Sequence, residues 1–459
     1  MSKSIHFIGI GGIGMSGIAH ILLQQGCLIS GSDIKENANT QRLQKQGARI
    51  SIGHSPDNIT QLPDLVVYSS AISSSNPELI TARERQIPVL KRAEVLADLM
   101  RDKIGIAVAG AHGKTTTTSL ASFVLEQSGL MPTVVSGGIV KNFNDNALLG
   151  HSNYFVAEMD ESDGSFLYFH PTYAILTNID YEHVDFYHSW DNILDAYRMF
   201  LQHIRLEGCL FACGDNEHVK KIVKEYDRKY VSFGLSPDND FTATEIIEEN
   251  YSSSFRCLYK GNTVGNVHLP LPGTHNISNT LGVIALALEL GIHFEDITRA
   301  LAAYEGVQRR FQIKACINGI TLIDDYGHHP TEIKATLQAL YANKPGNAIV
   351  IFQPHRYTRT KFLLDEFVES LRCVENLILT DIYSASEKPI EGISALTLYE
   401  KLKAADCKGV QFIPKEKIVQ HVSDIAQEGD VILTLGAGDI GKISDELLSQ
   451  IKEKHQGNS

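Results

Sequence analysis

Short, almost wholly apolar runs recur along this chain, each closed by a polar or glycine-bearing turn and followed by a longer stretch with helical spacing. Strands buried on both faces read as continuous Val/Ile/Leu runs, and the helices that cover them carry one apolar stripe. The first group of runs is IHFIGI (5–10), CLISGSD (27–33), ARISIGH (48–54) and LVVYSSAI (65–72), with a helix predicted near 15–25. A second group opens with IGIAVAG (104–110) and continues through YFVAEM (154–159), YAILTNI (173–179) and GCLFAC (208–213). It closes on a strongly apolar helix that starts near GTHNISN (273–279). The third group is ITLIDD (320–325), NAIVIFQ (347–353), NLILTDI (376–382) and DVILTLG (430–436). This alternation predicts an α/β chain in three domains, 1–102, 103–307 and 308–459. The first and last read as Rossmann-like doubly wound sheets, and the middle one as a P-loop ATPase-like, mainly parallel sheet. The stretch 230–272 is more β-rich, and its letters fix no fold.

Composition narrows the picture modestly. A chain of 459 residues suffices for about three domains. Its formal charge of -13 argues against a broad nucleic-acid surface, so anionic ligands would need locally gathered cations. The seven cysteines are odd in number and none is spaced C-x-x-C, which points to reduced thiols and a cytoplasmic chain. No apolar run approaches the roughly 20 residues of a membrane span. Glycines interrupt the N-terminal apolar stretch, which reads as strand, turn and helix, not as a signal peptide.

Candidate chemistry sits where strands end. Gly9, Gly11 and Gly14 in FIGIGGIGMSG (7–17) have the G-x-G-x-x-G spacing of a dinucleotide loop, with an acid, Asp33, after the next strand. That spacing alone admits an NAD-dependent oxidoreductase. His54 and the loop holding Ser70 and Ala71 end neighbouring strands, where ligands of open α/β sheets bind. GAHGKTT (Gly110, Ala111, His112, Gly113, Lys114, Thr115, Thr116) follows a buried strand and launches a helix, as a phosphate cradle does. Val108 occupies the place of the first P-loop glycine, so this is a shorter variant. Glu158 ends an apolar strand and His183 follows another, both in acid-rich loops suited to Mg²⁺. His275, Asn276 and Asn279 either cap a helix or read an adenine edge. The third segment gathers cations and imidazoles: Arg309, Arg310, His328, His329, His355, Arg356 and Arg359, with Asp324 and Asp325. Arginine forks there would grip a carboxylate or phosphate.

GIGGIGMSGIA, GSD, GAHGKTTTT, EMDESDGSF, TNID, RRF, DDYGHHPTEI, FQPHRYTRT and GAGDIG occur in the order found in the Mur ligases, the ATP-dependent amide-forming enzymes of peptidoglycan synthesis. The chain resembles that family nearly end to end. The resemblance implies that the N-terminal loop holds the diphosphate of a UDP-sugar, not a nicotinamide. Gly11, Gly12, Ile13, Gly14, Met15, Ser16, Asp33, His54, Ser70 and Ala71 would then be UDP-sugar contacts. It implies ATP on Gly110–Thr116, with Asn276 and Asn279 toward adenine, Asp324 or Asp325 toward ribose, and Arg310 nearby. Lys114, Glu158, His183, His328 and Arg356 would be catalytic, and Thr115, Glu158 and His183 would hold Mg²⁺. His355, Arg356 and Arg359 would take the amino acid's carboxylate or the transferred phosphate. Later Mur ligases place a carbamylated lysine some fifteen residues after the metal histidine, where this chain has Arg198. That departure suits the alanine-adding branch, with UDP-N-acetylmuramate and L-alanine as substrates and a monomer or homodimer as the working form. A peptide-recycling ligase acting on the same sugar nucleotide is the nearest rival.

Overall fold

A computed structural model describes residues 2–59 and 62–456. Among them run three sheets, of five, ten and six strands. The five-stranded sheet is parallel throughout, in the order Arg49–Ile52, Leu28–Asp33, Ser4–Ile8, Leu65–Tyr68, Val89–Lys91. The chain winds outward from Ser4–Ile8 in one direction and then in the other. The carboxyl ends of Ser4–Ile8 and Leu65–Tyr68 therefore flank the crevice expected to bind ligand. Gly9, at φ 82°, turns the chain out of the first strand into the helix Ile13–Gln24.

The ten-stranded sheet has the order Asn262–Leu269, Ser252–Tyr259, Phe241–Glu249, Tyr230–Phe233, Cys209–Cys213, Tyr173–Leu176, Ile104–Ala109, Tyr154–Glu158, Thr133–Val140, Asp145–Leu148. Its centre, from Tyr230–Phe233 to Thr133–Val140, is parallel, and Asp145–Leu148 closes one edge antiparallel. The stretch 230–272 supplies the other edge. In Ser252–Tyr259, Ser253, Phe255 and Cys257 are buried and their neighbours are not, the period of a strand covered on one side.

The first sheet and all but the ends of the last three strands of the second belong to one compact unit made of residues 1–246, 254–268 and 276–307. They share a core in which Met15, Ile18 and Ile21 of the first helix join Val135, Ala147 and Phe155 of the second sheet. Gly17 permits the close approach, since a Cβ there would lie 2.7 Å from Asn146 Nδ2. Asn146 is fully buried, donates to Ile13 O (2.7 Å) and accepts from Arg42 (2.8 Å), while Arg42 also pairs with Asp145 (2.7 Å).

The second unit, residues 247–253, 269–275 and 308–459, holds the six-stranded sheet. Its order is Gln312–Ile317, Ile320–Asp325, Asp430–Leu435, Asn347–Phe352, Asn376–Leu379, Val410–Phe412. All neighbours are parallel except the first pair. Both faces are covered, as the continuous apolar runs require. Val350 and Phe352 pack with Leu337 and Phe367 on one side, and Ile349 and Ile351 with Ile418 and Ile440 on the other. Among the described residues no helix is long and apolar enough to cross a membrane.

Asn146→Ala removes a buried amide that bonds both the Ile13 carbonyl and Arg42, leaving the carbonyl with Ser16 Oγ (3.0 Å) and Arg42 with Asp145 (2.7 Å). The expected loss is about 1–3 kcal/mol of unfolding free energy, read from urea denaturation. An unchanged midpoint would refute the weight given to this junction.

Candidate nucleotide and metal site

Strand Ile104–Ala109 delivers the loop at Gly110, and helix Lys114–Gln127 begins four residues later. Gly110 (φ 132°) and Gly113 (φ 77°) adopt conformations that favour glycine. A Cβ on Gly113 would sit 3.0 Å from Asn279 Nδ2, so the helix start lies against Asn279, which like Asn276 is buried. The loop is clasped from the next strand. Asn178 Oδ1 accepts from His112 N (2.8 Å), and Asn178 Nδ2 (3.0 Å) and Thr177 Oγ1 (2.7 Å) donate to His112 O. His112 Nε2 meets Asp180 Oδ2 at 2.8 Å.

Lys114 Nζ donates to Gly110 O (2.6 Å), Ala111 O (3.0 Å) and Glu161 Oε1 (2.8 Å). Burial alone would lower this ammonium's pKa, but Glu161 and Glu158 outweigh it and raise it. Thr115 Oγ1 donates to Glu158 Oε1 (3.0 Å), whose other oxygen accepts from Gly137 N (2.8 Å). His183, held at φ 55°, brings Nε2 within 3.5 Å of Glu161 and 3.8 Å of Glu182. Ligand atoms of Glu161, Glu182 and His183 lie within 4.8 Å of one another. A donor set of carboxylates, one hydroxyl and one imidazole fits a hard divalent cation. The side chain of Asp185 lies outside the described residues. Arg198 turns outward from helix Trp190–His203 to Glu225 (2.8 Å) and Asp195 (2.8 Å), while its neighbour Tyr197 is buried.

The first sheet presents a second glycine turn at a strand end. Asp33 Oδ2 accepts from Gly11 N (2.8 Å), and Asn39 (2.9 Å) and Asn37 (3.2 Å) donate to Gly11 O. A Cβ on Gly11 would lie 2.6 Å from Asn37 Nδ2 and 2.8 Å from Asp33 Oδ2, so a side chain there would displace the groups that bond this turn. Gly12 precedes the helix, and Ile13 and Gly14 form its first turn, with Arg92 2.9 Å from the position of a Gly14 Cβ. Met15 and Ser16 are buried, so their side chains face the core. Ser70 and Ala71 are exposed beyond Leu65–Tyr68.

Below His54 lies a feature the sequence concealed. Glu78, fully buried in the helix Pro77–Glu84, accepts from His6 Nε2 (2.7 Å), Ser32 Oγ (2.8 Å), Asn58 Nδ2 (2.9 Å), His54 Nδ1 (3.1 Å) and Ser55 N (3.3 Å). Burial alone would raise its carboxyl pKa; the bonds from His6, Asn58 and Ser32 overcome this and hold it at about 2.

In the second unit, Arg309 and Arg310 stack on the Tyr326 ring at 5.2 and 5.1 Å. Arg309 donates to Asp324 (3.3 Å) and Gly436 O (2.6 Å), and Thr434 donates to Asp324 (2.8 Å). Asp325 accepts from Phe311 N (2.6 Å), Gly327 N (2.7 Å) and Thr336 Oγ1 (3.2 Å), with burial raising its pKa. Both acids are buried and tie the sheet edge together. His329 caps the helix Pro330–Ala342, and His275 is exposed. Arg359 donates to His355 Nδ1 (3.0 Å), whose ring lies 5.5 Å from His328 and stacks on Tyr383 at 5.6 Å. Burial, then His328, Arg359 and Arg356, pull His355 down to about 3. Arg356, at φ 70°, pairs with Glu387 at 3.6 Å.

Sequence reasoning thus brought Lys114, Thr115, Glu158 and His183 into one neighbourhood, and His328, His355, Arg356 and Arg359 into another. It missed Glu78 and Gly137, and it left the part of Glu161 undecided among the acids of its loop. Nothing in a helix-spaced Glu78 or a strand glycine signals a partner some twenty or more residues away.

Three family models match in succession: the Mur ligase family catalytic domain over 4–104, the Mur ligase middle domain over 108–287, and the Mur ligase glutamate ligase domain over 309–438. A UDP-N-acetylmuramate–L-alanine ligase of Geotalea daltonii is 48% identical over 452 residues, 98% of each chain. One of Geobacter sulfurreducens is 45% identical over 99% of each. The crystal structure of a UDP-N-acetylmuramate–alanine ligase of Thermotoga maritima superposes with TM-score 0.84 at 31% identity, covering 99% of this chain and 100% of that one. A murein peptide ligase of Psychrobacter arcticus, 22% identical with TM-score 0.74 over 98% and 99%, shares the fold.

Glu78 also predicts a pH signature. Its pKa falls from about 4.5 to about 2 on folding, so its contribution to stability is complete above 4.5 and lost as pH drops toward 2. Wild-type protein should lose more unfolding free energy between pH 5 and 3 than Glu78→Gln, measured by urea titration. Equal losses would contradict the assigned network.

Proposed function

The chain belongs to the Mur ligase family, and from that premise we infer its reaction: ATP-dependent joining of L-alanine to the lactyl carboxylate of UDP-N-acetylmuramate. It is a ligase forming a carbon–nitrogen bond in peptidoglycan precursor synthesis. What carries the reading is the lysine–carboxylate cradle at Gly110–Thr116, within a chain that aligns end to end with alanine-adding relatives.

A carboxylate resists amines because its charge repels the nucleophile and its oxygen is a poor leaving group. Transfer of the γ-phosphoryl group to that oxygen gives an acyl phosphate. L-Alanine's neutral amine then attacks the carbonyl carbon, and the C–O bond to phosphate breaks as the amide forms. Positioning and charge neutralisation supply most of such a rate enhancement. We assign Lys114 to the β- and γ-phosphates and the backbone N–H groups of Gly110–Thr116 to phosphate oxygens. Thr115, Glu158 and His183, with Glu161 beside them, would hold Mg²⁺, which supplies charge for the phosphoryl oxygens when bound. Asn276 and Asn279 are assigned to adenine, and Gly11–Ser16 with Asp33, His54, Ser70 and Ala71 to the UDP-sugar. Arg356 and Arg359 would take alanine's carboxylate or the released phosphate, with His328, His355 and Arg310 contributing from the same unit. Asp324 and Asp325 keep the ribose assignment only through whatever their structural bonds leave open. The domains 1–102, 103–307 and 308–459 divide these tasks, and the cytoplasm is the proposed site of action.

Phosphate release from ATP and UDP-N-acetylmuramate should require L-alanine, with glycine, L-serine and the tripeptide L-alanyl-γ-D-glutamyl-diaminopimelate as comparison acceptors. Lys114→Ala should lower the rate by about 10²–10³. Preference for the tripeptide, or near-normal turnover without Lys114, would overturn the assignment. With alanine omitted, borohydride should trap a reduced sugar nucleotide formed from the acyl phosphate. Its absence with ATP and Mg²⁺ present would rule against that intermediate.

A further inference from the structure

The carboxylate of Glu78 can only accept hydrogen bonds, and that fixes protons on its partners. His6 must present Nε2–H to it (2.7 Å), leaving His6 Nδ1 to accept from Ser30 Oγ (2.9 Å). Ser32 spends its hydroxyl proton on the same carboxylate (2.8 Å), so the Ser32 oxygen can only accept from His54 Nδ1 (3.0 Å). Both neighbours of His54 Nδ1, Glu78 Oε1 and Ser32 Oγ, are therefore acceptors, and Nδ1 carries the proton. The neutral ring then bears its lone pair on Nε2. That atom makes no hydrogen bond to any described residue, and the ring is neither sealed in the core nor free in solvent, with 15% of its side chain exposed.

We propose that Glu78 is a positioning residue that locks His54 in the Nδ1–H tautomer, so that Nε2 accepts a hydrogen bond from a donor on the nucleoside of the UDP-sugar. This rests on the assignment of the N-terminal sheet to that ligand. The position supports it: His54 follows the strand Arg49–Ile52 at the same carboxyl-end rim as Asp33 and the Gly11 turn. Two groups offer the chemistry, the uracil N3–H and a ribose hydroxyl. A lone-pair acceptor facing N3–H would also reject cytosine, whose N3 is itself an acceptor, because two acceptors would then face each other unpaired. Ser32 and Asn58 bond the Glu78 carboxylate from two further elements and so hold in place the group that His54 Nδ1 faces.

The test uses the full chain labelled with ¹⁵N-histidine, with UDP as probe. The His54 signals, identified by their loss in His54→Phe, should show a protonated Nδ1 and an unprotonated Nε2, and the Nε2 resonance should move when UDP binds. Glu78→Gln should weaken UDP binding and raise KM for the UDP-sugar by about three- to ten-fold, the worth of one ordinary hydrogen bond. Its KM for ATP and for L-alanine should stay within about two-fold, a split that a general loss of folding would not produce. If Glu78→Gln does not fold, the wild-type spectrum and His54→Phe decide. Weaker binding of 3-methyl-UDP than of UDP, abolished in His54→Phe, identifies the base as donor. The same behaviour with deoxyribose analogues identifies a hydroxyl. A proton on Nε2, or equal binding of all analogues by the wild-type chain, overturns the proposal. No binding of UDP at all would instead overturn the assignment of this sheet, and the proposal with it.

Discussion

An ammonium largely withdrawn from water needs oxygen around it, and the central loop is organised by that need. Lys114 is the first residue of its helix, so its Nζ can fold back over the turn only if the turn offers acceptors. Gly110 O and Ala111 O supply two. The third is Glu161. Once that carboxylate is drawn in, the rest follows: His183 approaches it, Tyr187 donates to its backbone carbonyl at 2.5 Å, and Glu158 occupies the adjacent strand end with Thr115. One positive charge therefore stands against several carboxylates. A triphosphate would add more negative charge to that balance, which is the physical ground for the proposed divalent cation.

The two glycine turns proposed to hold phosphates are built by different means. At Gly110–Thr116 a side-chain cation, Lys114, folds over the turn. At Gly11 the backbone N–H is already directed at a carboxylate, Asp33, and the neighbouring carbonyl is held by Asn37 and Asn39. The turn is thus tied down by hydrogen bonds, and a side chain at Gly11 would displace Asn37 and Asp33. Preorganisation of this kind lowers the ordering cost of binding.

Much of this was legible in the letters because backbone geometry writes itself into composition. Continuous apolar runs marked the parallel strands, and the glycines at Gly9, Gly110 and Gly113 marked turns that no other residue makes as easily. Strands that break the pattern were harder. Thr133–Val140 carries two glycines in its middle, and Gln312–Ile317 is a half-covered antiparallel edge, so neither reads as a buried run. Side-chain partnerships were harder still. EMDESDGSF offers four acids in a loop without periodicity, and which one turns inward depends on Lys114, Gly137 and His183 arriving from elsewhere in the fold.

Glu78 and Arg198 show the same limit from opposite sides. Glu78 sits in the first turn of a short helix, where an acid is expected to face water and offset the helix dipole. Its partners instead come from strand Ser4–Ile8, strand Leu28–Asp33 and the turn after Arg49–Ile52, none of them near in sequence. Arg198, by contrast, draws notice only through the resemblance, which implies a carbamylated lysine near this position in later Mur ligases. Its guanidinium is tied to Glu225 and Asp195 on the outer face of its helix, so a cation at that sequence position does not reach the carboxylates around Lys114. A residue's spacing fixes which side of an element it occupies. The partners that make it a functional group are decided by packing, and an isolated charge in a sequence gives no sign of them.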